Sequence, residues 1–204
     1  HDTTETCNTY NMLKLTRHLF MWEPRAELMD FYERALLNHI LAHQNHETGM
    51  MVYKGFLDHA TRKEFSTPFD SFWCCVGTGM ENHTKYAESI YFHTADTLYV
   101  NLFISSRLTW PEEGLVLTQQ TQWPYGADTT FTFKLDKPQG LTLRIRRPYW
   151  AESSVALRVN DEPVAVSAPA GDYIELKRTW HDGDRIALTL PLTPTPMVRL
   201  PPKL

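Results

Sequence analysis

The chain has 204 residues, 42% of them hydrophobic and 22% charged, with 20 Lys plus Arg against 24 Asp plus Glu and a formal net charge of −4. That balance fits a globular protein of one large or two small domains and lacks the basic excess of a nucleic-acid binder. No apolar run approaches the ~18 residues of a membrane span.

Three cysteines, two of them adjacent, are too few and odd in number for a disulfide scaffold, so metal binding or thiol chemistry is the better default. The sequence opens at His1 with no Met and no leader, and its natural N-terminus is expected upstream.

Helical periodicity dominates up to about Phe92. A first helix is predicted over residues 7–22, with Tyr10, Leu13 and Phe20 on its apolar face and Pro24 ending it or starting the next. A second carries Leu28, Phe31, Tyr32, Ala35, Leu36 and Ile40 at helical spacing and stops in the polar loop 43–49. Residues 54–70 read as a long irregular stretch, of the kind that often carries function. A third helix is predicted over residues 79–91, opened by Gly77-Thr78-Gly79.

After Thr94 the period becomes two. Strands are predicted at 98–104, 115–118, 130–135, 141–145, 155–159, 173–176 and 186–190, separated by Pro, Gly, Asn or Asp. Hairpin turns are expected at Asn160-Asp161 and over residues 180–184. The Pro-rich tail 191–204 reads as an extended exit. This is an α-then-β chain, residues 1–93 helical and 94–204 an antiparallel β-sandwich. The few helices bury too little surface to form a core alone, so the helical part reads as a slice of something larger.

Chemistry concentrates in Glu5-Thr6-Cys7 and Cys74-Cys75. Thiolates with one carboxylate suit zinc, yet neither spacing is that of a zinc finger. Residues i and i+2 share no helix face, so Glu5 and Cys7 converge only from the turn that starts the helix. Adjacent cysteines converge only from a strained or turning backbone. The plain alternative is three buried thiols. Among other candidates, His39, His43 and His46 read as a solvated helix end, and Glu81 with Lys85 as a surface ion pair. Asp58, Glu64 and Asp70 are carboxylates of the irregular stretch, with nothing in the spacing to select one.

The segment from Glu5-Thr6-Cys7 through Asn8-Thr9-Tyr10-Asn11 resembles a hallmark of the bacterial β-L-arabinofuranosidases of glycoside hydrolase family 127 and its relative, family 146. Phe72-Trp73-Cys74-Cys75-Val76-Gly77-Thr78-Gly79 resembles their second hallmark. Tyr99-Val100-Asn101-Leu102, Arg144-Ile145-Arg146 and Trp180 resemble the sandwich that follows the catalytic barrel.

The resemblance implies the C-terminal slice of an (α/α)6 barrel followed by a β-sandwich. It also implies a retaining hydrolase that releases β-L-arabinofuranosyl units from plant glycans or glycoproteins. Glu5, Cys7, Cys74 and Cys75 would be zinc ligands, Cys74 the nucleophile, and Tyr53 a substrate contact. The family's acid/base glutamate lies upstream of the Glu-x-Cys segment, so this chain is expected to be inactive alone. The implied partner is an arabinofuranosyl carbohydrate, with no nucleic acid and no membrane; a homo-oligomer is left open. A non-catalytic zinc-stabilised helical unit with a sugar-binding sandwich is the competing reading, and a vicinal-dithiol redox protein the third.

Overall fold

The computed structural model describes residues 3–56 and 62–192. Asp58 and the tail beyond Leu192 lie outside the described residues. The chain mixes helices and antiparallel sheets, divided into two compact units: His1–His93 with Tyr99–Leu102, and Thr94–Leu98 with Phe103–Leu204. Among the described residues no helix is long and apolar enough to cross a membrane.

In the first unit, β1 (Thr3–Thr4) pairs with β2 (Gly55–Phe56), and the chain then enters α1 (Thr6–Trp22). Tyr10, Leu13, Thr16 and Phe20 are buried along one face of α1, the expected helical spacing. Phe20 packs edge-on to Tyr99 at 5.7 Å and against Phe92 at 4.7 Å. The second helix, α2 (Ala26–Ala35), continues as a π-turn over Leu36–Ile40 and a 3-10 turn over Leu41–His43.

The third helix, α3 (Cys74–Thr84), starts five residues before the expected position and ends before residue 91. Glycine usually interrupts a helix, which is why the sequence places the start at Gly79. Here Gly79 is buried inside α3, and a Cβ on it would lie 2.7 Å from Met51 Cγ. It permits close packing and breaks nothing. A 3-10 turn over Tyr86–Ser89 follows, then β3 (Tyr91–His93), a strand where helix was expected.

After β3 comes β4 (Thr97–Val100), whose Thr97 and Leu98 fall in the second unit and whose Tyr99 and Val100 fall in the first; the second unit continues with β5 (Ser106–Trp110), β6 (Leu115–Thr121), β7 (Asp128–Leu135), β8 (Gln139–Arg147), β9 (Ala156–Val159), β10 (Glu162–Pro163), β11 (Asp172–Trp180) and β12 (Arg185–Thr189). One antiparallel sheet has the order β10-β9-β12-β7-β6-β5. Elsewhere β8 and β11 pair from Arg147↔Asp172 to Gln139↔Trp180. Alternation buries Phe131, Phe133 and Leu135 of β7, Leu157 and Val159 of β9, and Ile186 and Leu188 of β12. From β8 and β11 come Leu143, Ile145, Ile174 and Trp180. Strand β5 was not expected, because Ser106 and Arg107 hide its alternation at the edge of the sheet.

Asn160 and Asp161 adopt φ of 50° and 66°, the paired left-handed geometry of a tight hairpin turn, and they join β9 to β10 as expected. The turn over residues 181–184 is not a hairpin: β11 and β12 belong to different sheets. Gly183 supplies its positive φ of 84°. Trp180 lies at the end of β11, where its ring stacks on Phe133 at 4.3 Å and its indole N–H donates to the Leu141 carbonyl. Asp184 ties the turn down by accepting from the His181 backbone N–H and the Asn160 side chain.

Trp180 is fully buried between two sheets and hydrogen-bonded, so its removal leaves both a cavity and an orphaned carbonyl. Trp180→Ala is expected to cost about 3–5 kcal/mol. Urea unfolding should show this as a lower midpoint at an unchanged slope; a loss below ~1 kcal/mol would mean the ring is not a core anchor.

Candidate metal centre

Two helix starts meet here. Glu5 is the extended N-cap of α1, and its side chain makes no capping bond, which leaves its carboxylate for other partners. Cys7 is in the first turn of α1, and Cys74 and Cys75 open α3. Cys7 Sγ lies 3.1 Å from Cys74 Sγ, 3.1 Å from Cys75 Sγ and 4.0 Å from Glu5 Oε2. One donor atom from each of the four residues falls within 4.8 Å of the others. No strained backbone is needed. Successive residues of a regular first turn point about 100° apart, and Cys7 sits between the two thiols they present.

All three thiols are free, and their separations exceed the ~2.05 Å of a disulfide. They differ sharply in exposure: Cys74 is exposed, Cys7 half-buried and Cys75 fully buried. Burial, reinforced by hydrogen bonds with Cys74 and Cys75, pushes the Cys7 thiol up to about 12. Burial also pushes Cys75 up, but the bonds it receives from Cys7, from Thr6 and from Cys74 outweigh this and hold it below its ordinary value. Helix N-termini carry partial positive charge, which further favours sulfur anions at this junction.

Three thiols and a carboxylate are a soft, anionic donor set that fits a divalent zinc-like ion. Zinc–sulfur bonds of about 2.3 Å place tetrahedral sulfurs roughly 3.8 Å apart, so a bound ion would move Cys7 from Cys74 and from Cys75 by less than an ångström. An entering ion must displace the proton held by Cys7, which makes uptake weaker in acid.

Tyr53 stands beside this cluster. The negative charges of Glu5 and then Cys74 raise its phenol above the ordinary value, and its ring stacks on Trp73 at 5.5 Å. Trp73 is the N-cap of α3, directly before Cys74. Sequence reasoning gave Trp73 and Thr6 no role, since neither residue type signals one and only the fold brings them to the sulfurs.

The other candidates lie elsewhere. His39 and His43 are not a solvated helix end: His43 is 7% exposed, the rings meet edge-on at 4.4 Å, and only His46 is exposed. The His43 Nδ1–H donates to the His39 carbonyl, and His39 Nδ1 pairs with the Thr9 hydroxyl at 2.6 Å. Glu81 and Lys85 do not pair with each other. Glu81 accepts from the Tyr10 hydroxyl at 2.6 Å, and Lys85 pairs with Glu88 at 2.6 Å. That carboxylate, with burial, pushes Tyr10 up to about 12. Glu64 and Asp70 are exposed and outside the cluster.

Two models of one family match the chain. The β-L-arabinofuranosidase GH127 catalytic domain matches residues 1–88, and the GH127 middle domain matches residues 97–192. Similar solved structures include a glycoside hydrolase at 23% identity and TM-score 0.81, which covers 93% of this chain and 33% of that one. A GH127 β-L-arabinofuranosidase from Geobacillus stearothermophilus T6 is similar at 22% identity and TM-score 0.81, covering 98% of this chain and 33% of its own. A GH127 β-arabinofuranosidase aligns at 22% identity and TM-score 0.79, covering 93% and 32%. These likenesses speak to the fold. The chain spans about a third of the length of these structures. No curated protein matches it.

Burial, and then the neighbouring His43, push His39 down to about 4. An unfolded histidine titrates near ~6.5, so below that pH the unfolded chain takes up a proton that the folded chain refuses. The stability that neutral His39 confers is complete above the unfolded value and is lost as pH falls toward the folded one. Urea midpoints measured from pH ~7 to ~5 should therefore fall, and His39→Gln should fall less steeply. Equal slopes for both proteins would contradict a buried neutral His39.

Proposed function

The chain belongs to glycoside hydrolase family 127, the β-L-arabinofuranosidases, and from that premise we propose that Glu5, Cys7, Cys74 and Cys75 bind one zinc ion and that Cys74 is the nucleophile of a retaining hydrolase. The reaction is release of β-L-arabinofuranosyl units from plant glycans or glycoproteins. In this reading residues 1–93 are the C-terminal slice of an (α/α)6 barrel and residues 94–204 an antiparallel β-sandwich, which agrees with the catalytic-domain and middle-domain matches.

The observation that carries the assignment is the asymmetry of the three sulfurs. Cys74 is the exposed thiol, whereas Cys75 is fully buried and Cys7 lies between the two. An electrophilic anomeric carbon can approach Cys74; it cannot reach Cys75 without opening the first turn of α3.

Zinc, when bound, keeps the thiols deprotonated near neutral pH. Cys7, Cys75 and Glu5 anchor the site, and Cys74 Sγ attacks the anomeric carbon. A carbon–sulfur bond forms as the glycosidic carbon–oxygen bond breaks, and the leaving oxygen takes a proton from a general acid. Water then displaces the sulfur, and two inversions give net retention. Glu5 is the only carboxylate in the cluster among the described residues and is engaged as a ligand, so the acid is a separate group. Tyr53, held by Trp73, lines the sugar site beside Cys74.

An electrophilic β-L-arabinofuranose analogue should label the zinc-loaded chain on Cys74, as located by digestion and mass spectrometry. Cys74→Ser should abolish the adduct. Cys75→Ser should act through metal loss, seen as zinc falling well below one equivalent by elemental analysis. An adduct on Cys75 or on a carboxylate, or no zinc in a folded chain with intact thiols, would overturn the assignment.

A further inference from the structure

A cavity of about 370 Å³ in the helical unit is walled by α1, by Tyr32 of α2 and by Glu81 and Asn82 of α3. It shares no residue with the sulfur cluster. Two nitrogen atoms of its lining residues, Arg17 Nε and Asn82 Nδ2, are buried with no hydrogen-bond partner among the described residues. Asn82 is only 3% exposed. Both nitrogens are donors, and a buried donor left unpaired is costly enough that nearly all find an acceptor. The carboxylates at this cavity are already engaged: Glu81 accepts from the Tyr10 hydroxyl at 2.6 Å, and Glu88 pairs with Lys85 at 2.6 Å. Lys14 and Arg17 lie over aromatic rings instead. Lys14 Nζ is 4.1 Å from the centre of the Tyr10 ring, and the Arg17 guanidinium is 6.0 Å from that of Phe92.

We infer that this cavity binds an oxyanion, a carboxylate or a sulfate-like group, with Arg17 and Asn82 as donors and Lys14 as countercharge. The guanidinium stays charged at any physiological pH, and its planar fork matches the oxygens of such a group. Both orphaned atoms present N–H groups, which repel cations, so the donor set selects against a metal ion. The volume sits at the low end of the ~300–1,000 Å³ of small-ligand sites. The chain spans about a third of the length of similar solved structures, so the oxygens have two sources. One is a small anion from solution; the other is a carboxylate of protein sequence outside residues 1–204. Either satisfies the same donors. The site uses neither zinc nor Cys74 and stands apart from the assignment of both.

Sulfate and acetate are titrated separately into the chain at constant ionic strength, with chloride as the control, while NMR follows the side-chain N–H signals of Arg17 and Asn82. Both signals should move and saturate with at least one oxyanion and stay in place with chloride. Arg17→Gln should weaken binding about tenfold or more, because a hydrogen bond to a charged group is lost. Lys14→Gln, a change at an exposed position that spares the fold, should weaken it about twofold or more. Lys134→Gln, the same charge change in the second unit, should leave affinity unaltered. No saturable shift, an equal response to chloride, or unaltered affinity in both cavity variants overturns the site. In a longer protein that carries residues 1–204, continued oxyanion binding identifies a ligand from solution. A carboxylate of that protein would instead block the added anion and hold the Arg17 Nε–H signal where the anion holds it in the chain. A longer protein that binds no oxyanion and keeps the unbound signal overturns the proposal.

Discussion

Everything in the helical unit that bears on function depends on one convergence: the first turns of α1 and α3 must meet closely enough for Cys7 to touch both Cys74 and Cys75. These residues are 67 and 68 positions apart in sequence. Closing so long a loop costs conformational entropy, and the packed helices recover it. Gly79 lets Met51 approach α3, and Tyr10 of α1 bonds to Glu81 of α3. The same junction fixes Glu5 as an N-cap whose carboxylate is unspent on capping.

The electrostatics of that junction leave few stable states. Three sulfurs at these distances cannot all ionise without a cation, and the cluster settles the conflict by holding Cys7 protonated while lowering Cys75. Two helix N-termini and a divalent ion both push the other way, toward thiolates. Of the three, Cys74 is the most open to solvent. Tyr53 and Trp73 add an aromatic wall beside it.

Much of this was legible in the sequence, but unevenly. The span of α1 follows from Tyr10, Leu13 and Phe20, and the tight turn at Asn160-Asp161 follows from residues that tolerate positive φ. The start of α3 was misplaced because Gly77-Thr78-Gly79 read as the turn that opens it, whereas Gly79 packs against Met51 inside the helix. The turn after Trp180 looked like a hairpin because local chemistry cannot say which sheet the next strand joins. The histidines of the second helix looked solvated because periodicity does not reveal what packs on a helix end; there Thr9 and Gly55 close over them. The four residues of the cluster stood out by type and by likeness to family segments, yet their spacing fits no simple metal motif. Only the meeting of two helix starts explains how they converge.

Zinc K-edge X-ray absorption on the metal-loaded chain tests the central claim most directly, because it reads the atoms around the ion. The account predicts three sulfurs at about 2.3 Å and one oxygen at about 2.0–2.2 Å, the oxygen lost in Glu5→Ala. A first shell of nitrogen and oxygen alone, or one with a single sulfur, would contradict it.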